Sequence, residues 1–314
     1  MSDPELIGES PAFRRLRGLL ELAARSEAPA LLLGESGSGK ELLARALHAS
    51  SPRRAGPFVP VNCAAIPDGL LEAELFGWRR GAWTGADRDR DGLLVQAHRG
   101  TLFLDEVGDM PPGMQAKLLR ALEGDPVRPL GGGRPRALSL RVVAATHRDL
   151  PGLVRSGAFR EDLWWRLAVL VLEVPPLRAR GADVLLLAER FLSELPGPPR
   201  RLTEGARARL LAHAWPGNAR ELRNALRRAA AVGGPVLEAR DLAFLGAGGG
   251  APPPPAVRDA PLLPLRALER LEAERALAES GGHVRRAARL LGLHPATLYR
   301  KLKRWGVGRD RRAG

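Results

Sequence analysis

Short, continuous runs of apolar residues alternate along this chain with longer segments in which apolar residues recur every three or four positions. Residues 30–33, 101–104 and 140–145 are such runs, and they are typical of strands that a parallel sheet buries on both faces. Residues 41–48 and 114–123 have the helical period and lie between those runs. The alternation predicts an α/β fold with helices on both faces of a parallel sheet.

Segments with the helical period dominate after about residue 181, at 182–195, 203–213 and 219–231, and they predict a smaller, helical subdomain. A linker follows, because residues 246–264 combine a glycine cluster with four consecutive prolines. Neither a helix nor a central strand tolerates that composition. The linker separates the α/β and helical parts from a C-terminal piece of about 50 residues.

Three further helical segments, residues 268–277, 284–291 and 295–305, make up the C-terminal piece. Leu298 and Leu302 are four residues apart, on the side of the last helix that is expected to face a core. A helix, a glycine-containing turn and a basic helix are the arrangement of a helix-turn-helix, whose second helix enters the DNA major groove. The piece is therefore predicted to be a small all-α DNA-binding domain.

The polar side of the last helix carries the residues that this interpretation assigns to DNA contact: Thr297, Arg300, Lys301 and Lys303. The alternative is a solvated basic helix that closes a core. The net charge of the chain is +14, and 45 of its 49 basic residues are arginine, so biased composition accounts for part of the charge. Residues 281–314, however, hold ten Lys or Arg against one acid, and this concentration favours nucleic acid as the partner.

The composition also excludes several classes of protein. A single cysteine, Cys63, rules out an internal disulfide framework and a zinc site built on cysteines. No apolar run approaches the roughly 18–20 residues that span a bilayer, and the acidic N-terminus has no apolar signal-peptide core. We therefore expect a cytoplasmic protein that does not use a membrane.

A glycine-rich turn joins the first predicted strand to the helix that starts near residue 41. Glycines let the backbone turn tightly and direct its N–H groups at phosphate oxygens, and the helix N-terminus adds partial positive charge. Lys40 is expected to reach the β- and γ-phosphates of a nucleotide, although Glu41 stands where the general motif has Ser or Thr. The predicted nucleotide-binding residues of this turn are Gly34, Glu35, Ser36, Gly37, Ser38, Gly39, Lys40 and Glu41.

Two acids, Asp105 and Glu106, follow the apolar run at 101–104. Open α/β sheets bind their ligands at the carboxyl ends of the strands. Asp105 is expected to hold Mg²⁺, directly or through water, and Glu106 to polarise the attacking water. An apolar strand that ends in two acids is common by itself, but about 65 residues after a phosphate-binding loop it is a strong indication of a nucleotide hydrolase.

With these motifs, the chain resembles the NtrC-type, sigma-54-dependent transcription activators, also called bacterial enhancer-binding proteins. The similarity extends from about Ile7 to Val307, and a Glu at position 41 is usual in that family. Its most specific mark is Glu-Leu-Phe-Gly at residues 74–77, followed by a loop similar to the family's GAFTGA. In the family this loop rises on ATP binding and touches sigma-54, which implies sigma-54 contact through Gly81, Ala82, Trp83, Thr84, Gly85 and Ala86.

The resemblance implies an AAA+ P-loop NTPase fold with a helical lid, followed by a Fis-type helix-turn-helix. It also implies ATP and Mg²⁺ as cofactors and a homo-oligomer, a hexameric ring in which arginine fingers reach the nucleotide of the neighbouring subunit. Six residues match family positions with roles: Asn62, which holds the catalytic glutamate away until the GAFTGA-like loop is released; Thr146 and His147, at the sensor I position; Arg160 and Arg166, as the fingers; and Arg220, as sensor II.

The implied domains are an AAA+ α/β subdomain at residues 1–175, a lid at 176–245, the linker at 246–264 and the helix-turn-helix at 265–314. Family members often carry a sensory domain ahead of the motor. This chain starts almost at the motor, so we expect no N-terminal regulatory domain, and control by a separate inhibitor or regulator protein, by expression level, or by a fused or paired partner.

The leading hypothesis is a sigma-54-dependent activator that binds an upstream DNA sequence and uses ATP hydrolysis to bring sigma-54 RNA polymerase into an open promoter complex. A second hypothesis is a nucleotide-gated DNA-binding regulator that does not remodel sigma-54. Trp83, which replaces the family phenylalanine, is the feature that favours it. A third, a general AAA+ machine such as a helicase loader or an unfoldase, is disfavoured by the GAFTGA-like loop and by the Fis-like C-terminal piece.

Overall fold

The structure, a computed structural model, describes residues 5–83 and 86–246, and in the C-terminal part residues 273, 276, 277, 280, 283–290, 293 and 295–305. The chain forms two compact units, Met1–Ala251 and Pro252–Gly314. Nearly all of the predicted linker lies outside the described residues. No helix in the described part of the chain is long and apolar enough to cross a membrane.

The first unit alternates strands and helices and then becomes mainly helical, as the periodicity predicts. Its strands are β1 (Ala30–Leu33), β2 (Phe58–Asn62), β3 (Gly77–Trp78), β4 (Arg90–Asp91), β5 (Thr101–Asp105), β6 (Arg141–Thr146), β7 (Leu170–Glu173), β8 (Arg201–Leu202) and β9 (Val236–Leu237). Its α-helices are α1 (Pro11–Ala24), α2 (Lys40–Ala49), α3 (Asp68–Phe76), α4 (Leu93–Gln96), α5 (Pro112–Glu123), α6 (Leu150–Arg155), α7 (Glu161–Leu167), α8 (Asp183–Ser193), α9 (Glu204–Ala212) and α10 (Asn218–Val232).

Five parallel strands form the central sheet, in the order β2-β5-β6-β1-β7. The three predicted strands β1, β5 and β6 are the inner ones, which explains their continuous apolar character. The sequence pattern missed β2 and β7, because both are edge strands with exposed positions between buried ones. Pro60 lies within β2, where an edge strand tolerates the missing N–H.

Helices cover both faces of the sheet, and the alternation of side chains along each strand supplies two separate cores. On one face, Leu31 and Leu104 belong to a cluster with residues of α3, α5 and α7. On the other face, Leu32 and Phe103 belong to a cluster with residues of α1 and α2. This arrangement confirms the predicted α/β fold with a parallel sheet.

The helical subdomain, or lid, is built from α8, α9 and α10 around a third core. The helices agree with the predicted segments to within two residues at each end. Trp215 is completely buried in this core, and its indole N–H donates to the Leu210 carbonyl at 2.8 Å. The indole therefore fills the lid core without leaving its polar atom unpaired.

A buried ion pair fastens the segment before α1 to the lid. Asp183 accepts hydrogen bonds from the backbone N–H groups of Glu9 and Ser10, at 2.7 and 3.0 Å. Arg180 pairs with Asp183 at 3.1 Å and donates to the Ile7 carbonyl at 2.6 Å. Burial acts to raise the pKa of Asp183, but the hydrogen bonds from Glu9, Ser10 and Arg180 outweigh burial, and the pKa is lowered. The N-terminal segment and the lid therefore pack as one body.

The second unit contains the helices Val284–Leu290 and Pro295–Trp305, at two of the predicted positions. Leu298 and Leu302 are buried, as their spacing predicts, and they share a small core with Ala273, Ala276, Ala287 and Ala288. Most of the predicted helix at 268–277 lies outside the described residues, and its described residues are helical.

One buried arginine ties the sheet to α1. Arg141, at the start of β6, is 1% exposed, and its guanidinium group donates to the carbonyls of Ala23, Ala24 and Ala28 at 2.7, 3.4 and 3.3 Å. Burial lowers the pKa of Arg141, so its positive charge depends on these acceptors. Ala23 and Ala24 end α1, where a helix leaves carbonyl groups without intrahelical partners.

We expect Arg141→Ala to lower the free energy of unfolding by about 2–4 kcal/mol, because buried carbonyl groups lose their donors. Urea denaturation followed by tryptophan fluorescence measures this loss. Arg14→Ala is the matched control, because Arg14 is exposed and forms only a 3.7 Å ion pair with Glu9. Equal stability of the two variants would contradict the structural role of Arg141.

Candidate functional site

The predicted phosphate-binding loop, residues 34–39, connects β1 to α2. Gly37 and Gly39 have φ values of 74° and 98°, in the left-handed region that glycine adopts without strain. A Cβ atom on Gly37 would lie 2.4 Å from the carbonyl oxygen of Gly217 in the lid. The loop therefore has glycine both where the backbone turns and where the lid approaches it. Glu41, just after the loop, pairs with Arg45 at 2.6 Å on the exposed side of α2.

Lys40 is buried at the first turn of α2, and its ammonium group is held by oxygen atoms. Its Nζ donates to the carbonyls of Gly34 and Glu35, at 2.8 and 3.3 Å, and lies 3.6 Å from Glu106 Oε1. A buried cation needs such acceptors, because removing its water is costly. Phosphate oxygens satisfy the same requirement through charge-assisted hydrogen bonds, so this position suits phosphate binding.

Ser38 is a second indication of a ligand at this loop. Its hydroxyl oxygen is buried and has no hydrogen-bond partner among the described residues. Buried polar atoms without partners are uncommon in native proteins, and a ligand-binding role is one explanation for them. A cavity of about 230 Å³ adjoins Ser38, and its apolar walls include Leu6, Ile7, Leu187, Phe191 and Ala219. The cavity suits a flat heterocycle attached to the phosphates.

Sequence reasoning missed these cavity residues. They come from the N-terminal segment, from α8 and from α10, which only the folded chain brings next to α2. The helical spacing of the apolar residues in α8 is fully explained by the lid core, so no local pattern signals a second role for Leu187.

The lid contacts the phosphate-binding loop through the side chain of Glu35. Arg178 donates to both carboxylate oxygens, at 2.6 and 2.8 Å, and Asn218 Nδ2 donates to Glu35 Oε2 at 3.1 Å. The hydrogen bonds from Arg178 and Asn218 lower the pKa of Glu35. Asn218 is completely buried, and it also donates to the Ser36 carbonyl at 3.1 Å and accepts from the Leu177 N–H at 2.7 Å. Sequence reasoning gave neither Arg178 nor Asn218 a role in this contact.

The predicted sensor residues reach the site from two elements. Arg220, on α10, donates to the Ser36 hydroxyl at 2.9 Å, so the structure brings it to the phosphate-binding loop. Thr146 is buried at the end of β6, and its carbonyl accepts the Gly34 N–H at 3.2 Å. His147 follows it, and its ring Nδ1 lies 2.7 Å from Glu106 Oε2.

The two acids lie at the carboxyl end of β5, as predicted. Glu106 has a φ of 51°, a strained conformation for a residue with a side chain and one that often occurs at functional sites. Burial, and then the charge of Glu106, raise the pKa of Asp105. Burial also acts to raise the pKa of Glu106, but the hydrogen bond from His147 and the charge of Lys40 outweigh it and lower the pKa. The site therefore stabilises ionised Glu106, the form that accepts a proton.

Asn62 lies beside Asp105 in this structure, and its implied role toward Glu106 stays a prediction. Among the described residues no hydrogen bond joins Asn62 to Glu106, whereas Asn62 Nδ2 lies 3.4 Å from Asp105 Oδ2. The physical reason is local: Asn62 Oδ1 accepts the backbone N–H groups of Ala64 and Ala65, both at 3.0 Å, and these bonds fix the side chain beside Asp105.

The two predicted arginine fingers are exposed at α7. Arg160 donates to both carboxylate oxygens of Asp162, at 3.0 and 2.7 Å, and Arg166 donates to the Leu122 carbonyl at 2.7 Å. In the described part of the chain, no hydrogen bond or ion pair joins either arginine to the phosphate-binding loop of its own chain. Their action on the nucleotide of a neighbouring subunit stays a prediction.

The GAFTGA-like loop connects β3 to β4, which pair as an antiparallel hairpin. Thr84 and Gly85 lie outside the described residues. Trp83 is 39% exposed, and its ring packs on Trp78 with 5.0 Å between ring centroids. Ala86, which the resemblance assigns to sigma-54 contact, is buried. Trp83 is therefore partly covered, because the bulky Trp78 at the base of the hairpin offers it a second aromatic face.

The other described residues of this loop, Gly81, Ala82 and Ala86, bond to the hairpin itself or pack on a neighbouring loop. The Gly81 N–H donates to the Ala86 carbonyl at 2.9 Å, and the Ala82 N–H donates to the Arg79 carbonyl at 3.0 Å. A Cβ atom on Gly131 would lie 2.8 Å from Ala82 Cβ, so the loop that contains Gly131 packs directly against the hairpin.

The predicted DNA-contact residues lie on the helix Pro295–Trp305. Arg300 is exposed and Thr297 and Lys301 are half-buried, whereas the Lys303 side chain lies outside what the structure describes. Tyr299 is 66% exposed beside Arg300.

Three family models match the chain in consecutive segments. "Sigma-54 interaction domain" matches residues 6–173, "AAA+ ATPase lid domain" matches residues 178–245, and "Bacterial regulatory protein, Fis family" matches residues 264–305. The first model alone covers more than half of the chain.

Several curated proteins and solved structures are similar to the chain. The response regulator protein PilR of Pseudomonas aeruginosa is 52% identical over 231 residues, which cover 72% of this chain and 52% of PilR. The transcriptional regulatory protein ZraR of Escherichia coli is 44% identical over 304 residues, 95% of this chain and 68% of ZraR. Crystalline NtrX from Brucella abortus in complex with ADP is 36% identical with a TM-score of 0.72, and the match covers 98% of this chain and 70% of NtrX. The chain thus spans about half to two thirds of the length of these relatives.

The single cysteine provides a test of this end of the sheet. The Cys63 N–H donates to the Asp105 carbonyl at 2.9 Å, and the thiol is buried. Burial, and then the charges of Asp105, Asp109 and Glu106, raise the pKa of Cys63 to about 12.

At about pH 8 we expect native protein to react with a disulfide reagent such as DTNB roughly 1000-fold more slowly than urea-unfolded protein, because only the thiolate is reactive. The absorbance of the thiolate that DTNB releases measures the reaction rate of the native and of the unfolded protein. Fast labelling of the native protein would mean that the carboxyl ends of β2 and β5 are open to solvent.

Proposed function

The chain belongs to the sigma-54 interaction domain family, with an AAA+ lid and a Fis-family segment, and on that premise we propose that it is an ATP-driven transcription activator. It would bind an upstream DNA sequence, assemble into a homo-oligomeric ring and use ATP hydrolysis to convert sigma-54 RNA polymerase to an open promoter complex. Its domains would be the α/β subdomain at 1–175, the lid at 176–245, the linker at 246–264 and the DNA-binding domain at 265–314.

The observation that supports this proposal best is the convergence of nucleotide-binding features at one edge of the sheet. The buried Lys40 ammonium, the unpaired Ser38 hydroxyl and the apolar cavity beside them suit the phosphates and the base of ATP. Crystal structures of NtrX contain ADP in one case and ATP in another, and their chains match this one with 36% and 35% identity, respectively.

Magnesium fits the same edge. Asp105 would hold Mg²⁺, directly or through water, and the bound ion would neutralise charge on the phosphates. In the described part of the chain, no three His, Cys, Asp or Glu side chains cluster as a metal site. This is consistent with magnesium, which keeps several waters and binds through one or two carboxylates together with substrate phosphates.

Different side chains would carry out proton transfer, phosphate binding and charge stabilisation during hydrolysis. Glu106, kept ionised by His147 and Lys40, would accept a proton from the attacking water. Lys40 and Arg220 would bind the phosphates from the loop and from the lid, and Thr146 and His147 would border the γ-phosphate. Arg160 and Arg166 would stabilise the charge that develops on the transferred phosphoryl group of the neighbouring subunit.

Fingers that act in trans require a head-to-tail assembly, and such interfaces close into rings. The family implies a hexamer. In that ring the GAFTGA-like loop, residues 81–86, would present Trp83 and Thr84 to sigma-54.

A second candidate function is a nucleotide-gated DNA-binding regulator that does not remodel sigma-54. The packing of Trp83 on Trp78, with 5.0 Å between ring centroids, favours it, because a covered Trp83 offers less surface to a partner. The two functions share the nucleotide site and the DNA-binding helix, and they differ only in sigma-54 engagement.

Turnover tests the nucleotide site. We expect Lys40→Ala to abolish ATP binding, because the phosphates lose their buried cation, and Glu106→Gln to bind ATP but to lower hydrolysis by about 100-fold or more. Fluorescent nucleotide titration and phosphate release measure the two effects separately. Unchanged affinity in the first variant, or continued hydrolysis in the second, would contradict the assigned roles.

Mixing experiments test the fingers. We expect Arg160→Ala and Arg166→Ala each to lose nearly all ATPase activity, and addition of Lys40→Ala subunits, which keep both fingers, to restore part of it. Arg240→Ala, at a lid residue that is 78% exposed, is the matched control and should remain active. If activity is absent at every mixing ratio, the fingers do not act across a subunit boundary.

DNA binding tests the C-terminal helix. Arg300→Ala should weaken specific binding by about 1–3 kcal/mol if Arg300 contacts a base, and should leave ATPase activity intact at high protein concentration. Fluorescence anisotropy on a selected duplex, at fixed salt, measures the loss. Equal weakening of binding to specific and random duplexes would show that Arg300 contacts phosphate and not a base.

A further inference from the structure

We propose that Arg178 is a positioning residue: its ion pair with Glu35 holds the lid on the phosphate-binding loop, and so keeps Arg220 beside the phosphates. This inference deepens the proposed function and rests on it, because it concerns how the lid arginine is placed at the same nucleotide site. The family resemblance gives a role to Arg220 and none to Arg178.

Glu35 is a feature of the phosphate-binding loop that phosphate binding alone does not explain. A carboxylate there opposes the binding of an anion, because like charges repel. In this structure the lid binds both of its oxygens: Arg178 donates to Oε1 at 2.6 Å and to Oε2 at 2.8 Å. The bidentate pair compensates the charge of Glu35 and fixes the relative orientation of the two side chains. Glu35 therefore serves the contact with the lid.

Asn218 continues this contact into the protein interior. Its side chain is completely buried, and Nδ2 donates to Glu35 Oε2 and to the Ser36 carbonyl, both at 3.1 Å. Its Oδ1 accepts the N–H of Leu177, the residue before Arg178, at 2.7 Å. An exposed ion pair alone stabilises little. Here, however, the exposed pair and the buried amide bind the same carboxylate, so the lid has one defined position on the loop.

The position of Arg220 depends on that contact. Arg220 follows Asn218 by two residues in the first turn of α10, and its guanidinium group donates to the Ser36 hydroxyl at 2.9 Å. A Cβ atom on Gly37 would lie 2.4 Å from the Gly217 carbonyl oxygen and 3.0 Å from Arg220 Cβ, so the start of α10 lies directly against the loop. A lid that separated from the loop would take Arg220 with it. A lid held in place offers the phosphates a guanidinium group that is already positioned, which lowers the entropic cost of binding.

The first test measures amide hydrogen exchange of the full chain without nucleotide, by mass spectrometry. We expect Arg178→Ala to raise the exchange rates in residues 34–39 and 215–222 by about threefold or more, because the loop and the turn before α10 lose part of their contact. Both segments are distant from position 178 along the chain, so the substitution leaves their intrinsic exchange rates unchanged. Glu35→Ala, which removes the acceptor of both Arg178 and Asn218, should raise the rates in residues 215–222 as well.

Arg207→Ala is the matched control for this test. Arg207 is a partly exposed lid arginine, and its ion pair with Glu189, at 2.7 Å, lies within the lid. Its loss should leave exchange in residues 34–39 and 215–222 as in the native protein. Native exchange rates in residues 215–222 of both Arg178→Ala and Glu35→Ala would overturn the proposal.

The second test is a double-mutant cycle on the Kd for ATP, measured by fluorescent nucleotide titration. We expect Arg220→Ala to raise the Kd by about fivefold or more in the native background and by less than about twofold in the Arg178→Ala background, because Arg220 is already displaced there. Arg178→Lys keeps the charge but not the two parallel N–H donors, so it should restore part of the native response to Arg220→Ala.

The outcomes distinguish this inference from the proposed function. If the native protein does not hydrolyse ATP, the proposed function fails. If the native protein hydrolyses ATP but Arg220→Ala raises the Kd by the same factor in both backgrounds, only the positioning role of Arg178 fails. Independent effects of that kind are the result expected if Arg178 binds phosphate itself.

Discussion

The buried charge of Lys40 is the constraint on which the site depends. An ammonium group in a protein interior needs oxygen atoms around it, and here they come from the loop after β1 and from the acid after β5. The parallel order of the sheet makes this possible, because it places the carboxyl ends of those strands at one edge. The loop carbonyls and Glu106 therefore share one cation, so a phosphate that bound Lys40 would change the surroundings of Glu106.

The lid is part of the same arrangement and not a separate cover. Asn218 and Arg178 bind the Glu35 side chain, and a Cβ atom on Gly37 would collide with the lid backbone. The lid residue Asp183 also binds the N-terminal segment, which lines the cavity beside Ser38. The phosphate-binding loop and the lid are therefore in direct contact, and a displacement of one must be accommodated by the other.

The inner strands and the acids after β5 were predictable, because continuous apolar runs and a glycine-rich turn are local signals. The edge strands β2 and β7 were not, since their half-exposed patterns resemble loops. The sequence also indicated that Asn62, His147 and Glu106 belong to one site. The direction of the Asn62 amide, however, depends on the turn that follows β2, and no local pattern indicates it. The covered face of Trp83 depends in the same way on a hairpin partner, Trp78.

Capture of sigma-54 by the full chain, in the presence of ADP and an aluminium fluoride mimic of the γ-phosphate, tests the central claim most directly. We expect a complex that forms only with the mimic, that is lost in Trp83→Ala, and that persists in Tyr299→Ala, which removes an exposed aromatic side chain from the helix Pro295–Trp305. Absence of any complex, in protein that hydrolyses ATP, would contradict sigma-54 remodelling and leave the nucleotide-gated DNA-binding regulator as the function.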